Sequence, residues 1–229
     1  MSEICFTGVQ HAYGARVVLD GIDLRLSEQR IGIIGANGSG KSTLARMING
    51  LVTPTEGSVT FDGMDVAHHG KDVRRKVGFI FTDPDNQIVM PTVGEDIAFT
   101  LRRTKLSKAE VSAKVSAIAH RFGLTDHLEH PAHLLSGGQK QLLALASVMV
   151  GEPAVLVADE PTTLLDARNA RMIAQVLTDL PEQVVVVTHQ LELLTDFDRV
   201  IVIEEGKVAG DDAPAKAISR YRALLELPS

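Results

Sequence analysis

A complete phosphate-binding pattern occupies residues 35–42, which read Gly-Ala-Asn-Gly-Ser-Gly-Lys-Ser. Glycines let the backbone turn tightly and approach a ligand that a Cβ atom would exclude. The N–H groups of such a loop converge on one point, where a polyphosphate binds. We name this segment the phosphate loop, and it predicts binding of a nucleoside triphosphate with Mg²⁺. The residues expected to bind the nucleotide here are Gly35, Asn37, Gly38, Ser39, Gly40, Lys41 and Ser42, with the Ser42 hydroxyl on the metal; Thr43 directly follows them.

Two acidic residues follow an apolar run further along the chain. Residues 154–158 read Ala-Val-Leu-Val-Ala, and Asp159 and Glu160 come directly after them. A strand buried on both faces delivers its last side chains to the carboxyl edge of the sheet, where ligands bind in open α/β folds. Asp159 can hold Mg²⁺ there, and Glu160 can polarise an attacking water. Without the phosphate loop, the pair would equally fit two solvated acids at a strand end.

A second anion-binding pattern, Leu-Ser-Gly-Gly-Gln, occupies residues 135–139, and we name it the signature. Ser136 is a good N-cap for the following helix, and Gly137 and Gly138 leave its N-terminus open to an anion. Standing alone, the segment would be an ordinary capped helix after a glycine turn. The two phosphate-binding segments of one small chain cannot both bind the same γ-phosphate. A second copy of the chain would have to supply one of the two.

Two further side chains have positions that suit a nucleotide site. His189 follows the valine run 184–187 and can bond a γ-phosphate and sense its loss. Tyr13 precedes the strand of the phosphate loop and can stack on adenine. A lone histidine is more often structural, and Tyr13 also fits a partly buried strand residue, so neither is diagnostic by itself.

The elements that must position these residues follow from the apolar spacing. Strand and helix patterns alternate through most of the chain, which predicts a largely parallel sheet covered on both faces. Residues 92–126 are helical in pattern throughout and predict a helical lobe inserted into that core. We therefore predict an α/β fold in a single domain, 1–229, with a core at 1–90 and 151–229 and a helical lobe at 91–150. The predicted strands are 4–9, 17–26, 30–34, 57–61, 77–81, 154–158 and 184–187 with a hairpin of 200–203 and 207–209, and the main predicted helices are 43–50, 107–122, 139–149 and 167–180.

Composition argues against several classes of protein. The formal net charge of −6 and the lack of a Lys/Arg run disfavour a nucleic-acid partner. The single cysteine, Cys5, cannot form an internal disulfide, which favours the cytosol. No apolar run approaches the roughly 18 residues of a membrane span. A role at a membrane would need another chain to supply the span.

In this order and spacing, the phosphate loop, the signature, the acidic strand end and His189 resemble the ATP-binding subunit of ABC transporters over nearly the whole chain. In that family two ATPase domains pair head to tail, and each ATP lies between the phosphate loop of one copy and the signature of the other. The resemblance implies a P-loop NTPase core with an N-terminal antiparallel β part. It further implies that Tyr13 stacks on adenine and that residues 35–43, including Thr43, hold the phosphates and Mg²⁺, with help from Asp159 on the metal. It implies that Glu160 is the general base, that His189 is the switch and that Asp166 lies in the loop that crosses the dimer interface. The residues that it implies contact the partner's ATP are Ser136, Gly137, Gly138 and Gln139.

The segment 81–93 carries a narrower resemblance. Its Pro-Asp-Asn-Gln, leading to Pro-Thr-Val-Gly-Glu-Asp, is similar to the ATPases of energy-coupling-factor importers, which take up vitamins, cobalt and nickel. In them this loop senses nucleotide and helps form the groove for helices of a transmembrane coupling subunit. Together with the rest of the sequence, this segment is most similar to biotin-importer ATPases. The resemblance implies a homodimer or heterodimer of ATPases at the cytoplasmic face of the membrane, with the coupling subunit and a solute-binding membrane subunit as partners.

Three positions depart from the family pattern. Thr82 stands where the family usually has a nucleotide-sensing Gln, so either Gln87, with the metal contact, or Thr82 itself fills that position. Leu164 replaces a small residue of the interface loop, and Leu142 replaces an Arg just after the signature. The alternative class, a soluble non-transport ABC ATPase acting on nucleic acid or the ribosome, normally carries long coiled coils or extra domains. This chain has no long heptad stretch, which favours a transport ATPase.

Overall fold

The computed structural model describes residues 2–225, so the ends of the predicted span at residue 1 and residues 226–229 lie outside it. Within this range the chain forms ten strands and seven α-helices. The strands are β1 Ile4–Tyr13, β2 Arg16–Leu26, β3 Arg30–Ile34, β4 Glu56–Phe61, β5 Met64–Asp65, β6 Val77–Ile80, β7 Val155–Asp159, β8 Gln183–Val187, β9 Arg199–Glu204 and β10 Lys207–Asp212. The helices are α1 Lys41–Ile48, α2 Val66–Lys76, α3 Val93–Phe99, α4 Lys108–Arg121, α5 Gly137–Met149, α6 Ala167–Asp179 and α7 Pro214–Leu225.

The larger sheet has the order β10-β9-β3-β8-β7-β6. Its strands pair in parallel except for the terminal β9–β10 hairpin. Every residue of β3, β7 and β8 is buried, as their runs of Ile and Val lead one to expect for strands covered on both faces. The smaller sheet, β2-β1-β4-β5, is wholly antiparallel. The predicted α/β architecture, with a parallel sheet and antiparallel strands, is therefore confirmed.

Two apolar clusters cover the two faces of the larger sheet. Ile31 and Val157 face a cluster that includes α1 and the antiparallel sheet. Leu156 and Val186 face a second cluster that includes residues of α3 to α7. Neighbouring residues of one strand enter opposite clusters because successive side chains of a strand alternate in direction.

The structure differs from the sequence-based expectation in two helical regions. Helix α2 has no counterpart among the predicted helices, because it has few apolar residues and only Val66 and Val73 are buried. The helical region 92–126 is not helical throughout: α3 is followed by a 3₁₀ turn at Thr100–Arg103, and α4 begins at Lys108, close to the start of the predicted helix 107–122. The capping box of Ser107 and Glu110 accounts for the break, since it fixes a new N-terminus there.

Candidate functional site

The phosphate loop joins the end of β3 to the start of α1. Gly35 has φ 151° and Gly40 has φ 105°, conformations that favour glycine. A Cβ atom on Gly35 would clash with the carbonyl oxygen of Ile203, and one on Gly40 would lie 2.7 Å from a methyl group of Leu19. The loop can therefore follow this path only with glycine at both positions.

The polar groups of the loop fit a polyanion. Lys41 is buried and its Nζ donates a hydrogen bond to the carbonyl oxygen of Ala36, 2.8 Å away. Burial lowers the pKa of Lys41, although the carboxylates of Glu160 and Asp159 oppose that shift. Within the described residues, the buried hydroxyl of Ser39 has no hydrogen-bond partner. A triphosphate bound beside the glycines of the loop would accept hydrogen bonds from the buried ammonium group of Lys41 and from the unpaired hydroxyl of Ser39.

Asp159, the last residue of β7, is 1% exposed. Its Oδ1 accepts a hydrogen bond from Ser42 Oγ at 2.7 Å, and its Oδ2 lies 3.3 Å from an amino group of Arg46. Burial raises the pKa of Asp159, while the hydrogen bond from Ser42 and the charge of Arg46 act in the opposite direction. A desolvated carboxylate beside a hydroxyl provides the hard oxygen ligands that Mg²⁺ prefers. Two of the three predicted metal ligands, Ser42 and Asp159, thus lie together and fit the ion.

Glu160 leaves β7 with φ 53°, a left-handed conformation that is uncommon for residues other than glycine. Its backbone N–H donates to the carbonyl of Val187 at 2.9 Å. Its Oε2 accepts from His189 Nδ1 at 2.8 Å and from Thr163 Oγ1 at 3.0 Å. The structure therefore brings Glu160 and His189 into direct contact at the carboxyl edge of the sheet.

Glu160, His189 and residues Gly35 to Asn37 of the phosphate loop line one cavity of about 480 Å³, whereas Lys41, Ser42 and Asp159 are not among its described lining residues. Thr163 and Tyr221 line it but are not among the residues expected from the sequence, and Thr82, one of the two candidates for the nucleotide-sensing position, lines it as well. Thr82 directly follows the strand-like run of β6, and its Oγ1 donates to the main-chain carbonyl of Asp159 at 2.9 Å. Tyr221 reaches the cavity from α7, which no local pattern signals. The described lining residues are Gly35, Ala36, Asn37, Thr82, Glu160, Thr163, His189, Tyr221 and Leu225.

Gln87 makes its contacts elsewhere. Its Oε1 accepts from the backbone N–H of Phe81 at 3.2 Å, and its Nε2 donates to the carbonyl of Phe79 at 3.3 Å. Both ends of the amide are thus committed to the main chain around the end of β6. A metal contact by Gln87 stays a prediction that these hydrogen bonds do not favour, whereas Thr82 occupies the cavity wall.

Tyr13 ends β1 and is 54% exposed, with its ring at an edge-to-face angle of 83° to that of His11. It pairs with Arg16 across the β1–β2 turn. A guanidinium nitrogen of Arg16 lies 3.5 Å from the position of a Cβ on Gly38, so this turn reaches the phosphate loop. An exposed ring there is available to an adenine, as predicted for Tyr13.

The signature begins α5 with a capping box. Gln139 N donates to Ser136 Oγ at 3.3 Å, and Ser136 N donates to Gln139 Oε1 at 2.9 Å. Ser136 and Gly137 are exposed, while a Cβ on Gly138 would lie 2.5 Å from Asn169 Oδ1. The signature residues do not line the phosphate cavity in the described part of one copy. One chain therefore presents two separate anion-binding segments.

Leu142 belongs to the signature helix α5, whereas Leu164 and Asp166 lie in the segment just before α6. Asp166 caps α6 and accepts from Asn169 Nδ2 at 2.7 Å, so it braces the residue that packs on Gly138. Leu142 is buried in the apolar cluster that includes α5, whereas Leu164 is 62% exposed.

Among residues 2–225, none of the helices combines the length and the hydropathy needed to cross a bilayer.

Comparison with known proteins gives the family. A family model described as ABC transporter matches residues 19–163, more than half of the chain. The biotin transport ATP-binding protein BioM of Rhizobium etli is 47% identical over 221 residues, which cover 96% of this chain and 98% of that protein. The energy-coupling factor transporter ATP-binding protein EcfA1 of Symbiobacterium thermophilum is 40% identical over 241 residues, covering 96% and 84% respectively.

Solved structures agree with these relatives. The chain is similar to cbiO1 from Clostridium perfringens, described as part of the ABC transporter complex cbiONQ, with a TM-score of 0.86 and 30% identity. The match covers 98% of this chain and 95% of that chain. With its phosphate loop, signature and acidic strand end in place on this fold, the chain belongs to the ABC transporter family as an ATP-binding domain.

Proposed function

We propose that this chain is the ATP-hydrolysing subunit of an importer of the energy-coupling-factor type. The observation that carries the proposal is the contact between Glu160 and His189 at the cavity beside the phosphate loop. An inactive nucleotide-binding module would not need a carboxylate held at that edge. Relatives named for biotin transport, for energy coupling and for cobalt import support the transport class over a soluble ATPase acting on nucleic acid or the ribosome.

Hydrolysis would proceed by in-line attack of a water on the γ-phosphorus of ATP. Hydrogen bonds from His189 and Thr163 occupy Oε2 of Glu160 and orient its carboxylate, so that Oε1 can accept the proton of the water. Lys41 would leave its carbonyl partner and contact the β- and γ-phosphates. Held by Ser42 and Asp159, Mg²⁺ would offset the charge on those phosphates.

The complete site would need a second ATPase copy. The signature residues Ser136, Gly137, Gly138 and Gln139 of one copy would contact the γ-phosphate held by the phosphate loop of the other. Both halves are present in this chain, which favours a homodimer over a pair with a related ATPase. The exposed Leu164 and Asp166, whose side chain caps α6, lie in the loop that would cross this interface.

A groove on the helical lobe, residues 91–150, would receive the membrane partner. A cavity of about 810 Å³ opens between α3 and α4, and a smaller one of about 340 Å³ includes Val89 and His133. Val89, which lines the smaller cavity, and Leu134 are strongly exposed apolar residues that a docked partner would cover. Lys140 of α5 contacts both oxygens of Asp85, at 2.7 and 3.0 Å, in the turn Pro84–Asn86. This ion pair would connect movement of the signature helix to the groove.

The proposed position of the chain is the cytoplasmic face of the membrane, bound to a coupling subunit and a solute-binding subunit, with biotin as the proposed solute. The test is to extract the tagged chain from its own cells in mild detergent and to identify what co-purifies. A multi-helix coupling protein with a small membrane-embedded binding protein, and loss of biotin uptake when the chain is deleted, are the expected results. Salt-sensitive retention of nucleic acid without membrane proteins would instead support the soluble class.

A further inference from the structure

A chain of hydrogen bonds connects two histidines outside the cavity to the signature. His130 Nδ1 lies 2.7 Å from His127 Nδ1, and His127 Nε2 lies 3.1 Å from Gln139 Nε2. Gln139 Oε1 in turn accepts from the backbone N–H of Ser136 at 2.9 Å. His127 ends a 3₁₀ turn at Thr125–His127 and is partly buried, whereas His130 is exposed. The ATP-binding motifs do not include either histidine.

The direction of these hydrogen bonds is fixed by one backbone group. Ser136 N–H can only donate, so the end of the Gln139 amide that faces it must be the oxygen. The amide nitrogen therefore faces His127 and donates to its Nε2, which must carry no proton. The proton of neutral His127 is then on Nδ1, where it is donated to Nδ1 of His130.

The side chain of Gln139 is consequently held at both ends. Its carbonyl completes the capping box on Ser136, and its amino group is anchored on His127. On another side, Asn169 of α6 packs against Gly138. The exposed N-terminus of α5 is thereby supported from two directions, so that its free N–H groups keep a fixed direction toward solvent.

We propose that His127, supported by His130, is a positioning residue for the signature: it fixes Gln139 so that the N-terminus of α5 is preorganised for the γ-phosphate bound by the partner copy. This inference rests on the proposed composite site. A residue that positions the signature should affect assembly around ATP without affecting the affinity of the phosphate loop of an isolated copy. That separation distinguishes positioning from a general contribution to folding.

The experiment uses Glu160→Gln as the parent, so that bound ATP persists. His127→Phe keeps a ring but removes the acceptor, and His127→Gln restores an acceptor oxygen at about the position of Nε2. His120→Phe, an exposed histidine near the end of α4, is the control. His130→Phe alters an exposed side chain and removes the acceptor behind His127, so it serves as a second variant if His127→Phe folds poorly.

We expect His127→Phe to raise the ATP concentration for half-maximal dimerisation about fivefold, the factor that one net hydrogen bond contributes. His130→Phe should change it in the same direction, while His127→Gln and His120→Phe should match the parent. The ATP dissociation constant of dilute, monomeric protein should be the same in all variants. Parent-like dimerisation of His127→Phe and His130→Phe, or a His127→Gln variant as impaired as His127→Phe, would overturn the inference alone. A parent that never dimerises would overturn the composite site and this inference with it.

Discussion

Glu160 occupies a backbone conformation that costs about 1–3 kcal/mol for a residue other than glycine, with φ 53° in this chain. The main-chain bond to Val187 and the side-chain bonds from His189 and Thr163 keep it there. The turn carries the carboxylate away from Asp159, its neighbour in sequence, and toward the cavity. Adjacent acids can thus serve different roles, one at the metal and one at the water.

Replacing Glu160 by Gln tests that role at the level of one atom. Gln preserves the shape and one acceptor oxygen but cannot take a proton. We expect phosphate release to fall at least about 100-fold, with equilibrium binding of ATP unchanged. Glu205→Gln is a matched control, because Glu205 also has a positive φ, 47°, but lies in the exposed turn between β9 and β10. Steady-state turnover near the parent's rate would remove Glu160 from the role of general base.

Tyr13 provides a second test at the residue scale. Its exposed ring should stack on adenine, and stacking of a base on an aromatic side chain contributes about 1–3 kcal/mol. We expect Tyr13→Ala to weaken ATP binding by at least about fivefold, measured by equilibrium titration, and Tyr13→Phe to bind like the parent. Binding by Tyr13→Ala that equals the parent's would place the base elsewhere.

At the scale of elements, Arg30 fastens the first residue of β3 to the end of α6. Arg30 is 7% exposed, and its guanidinium donates to the carbonyls of Thr178, Leu180 and Glu182. The last carbonyls of a helix have no partner within the helix, so a buried arginine here replaces the water they would otherwise need. The strand that delivers the phosphate loop is thereby locked to the helix behind it.

Arg30→Met should therefore destabilise the fold. It preserves the apolar part of the side chain but leaves buried carbonyls unpaired, which we expect to lower the free energy of unfolding by about 2–3 kcal/mol. Arg25→Met, which removes an exposed pair with Glu3, should change it by less than about 1 kcal/mol. Urea unfolding monitored by circular dichroism measures both. Equal, small effects of the two substitutions would contradict the role assigned to Arg30.

At the scale of the whole molecule, the parts that could be predicted are those governed by local rules. Buried strands with polar ends meet at one sheet edge, and so Asp159, Glu160 and His189 were expected near the phosphate loop. Contacts made through tertiary packing left no local pattern: the approach of Tyr221 from α7 and the bond of His127 to Gln139 are of this kind. Helix α2 is absent from the sequence-based prediction because it has few apolar residues and buries only Val66 and Val73.

The central claim also concerns the whole molecule: two copies bind ATP between them in a composite site, because one copy carries both anion-binding segments but keeps them apart. The most direct measurement is the molar mass of the Glu160→Gln chain by light scattering, with and without saturating Mg²⁺ and ATP. We predict the 24.7 kDa mass of a single chain without nucleotide and twice that mass with it. A Ser136→Arg substitution, or chelation of Mg²⁺, should return the protein to the single-chain mass. The composite site is contradicted if the Glu160→Gln chain binds ATP with Mg²⁺ and yet stays monomeric. Alone it would then keep the single-chain mass, and with its membrane partners it would be present in one copy.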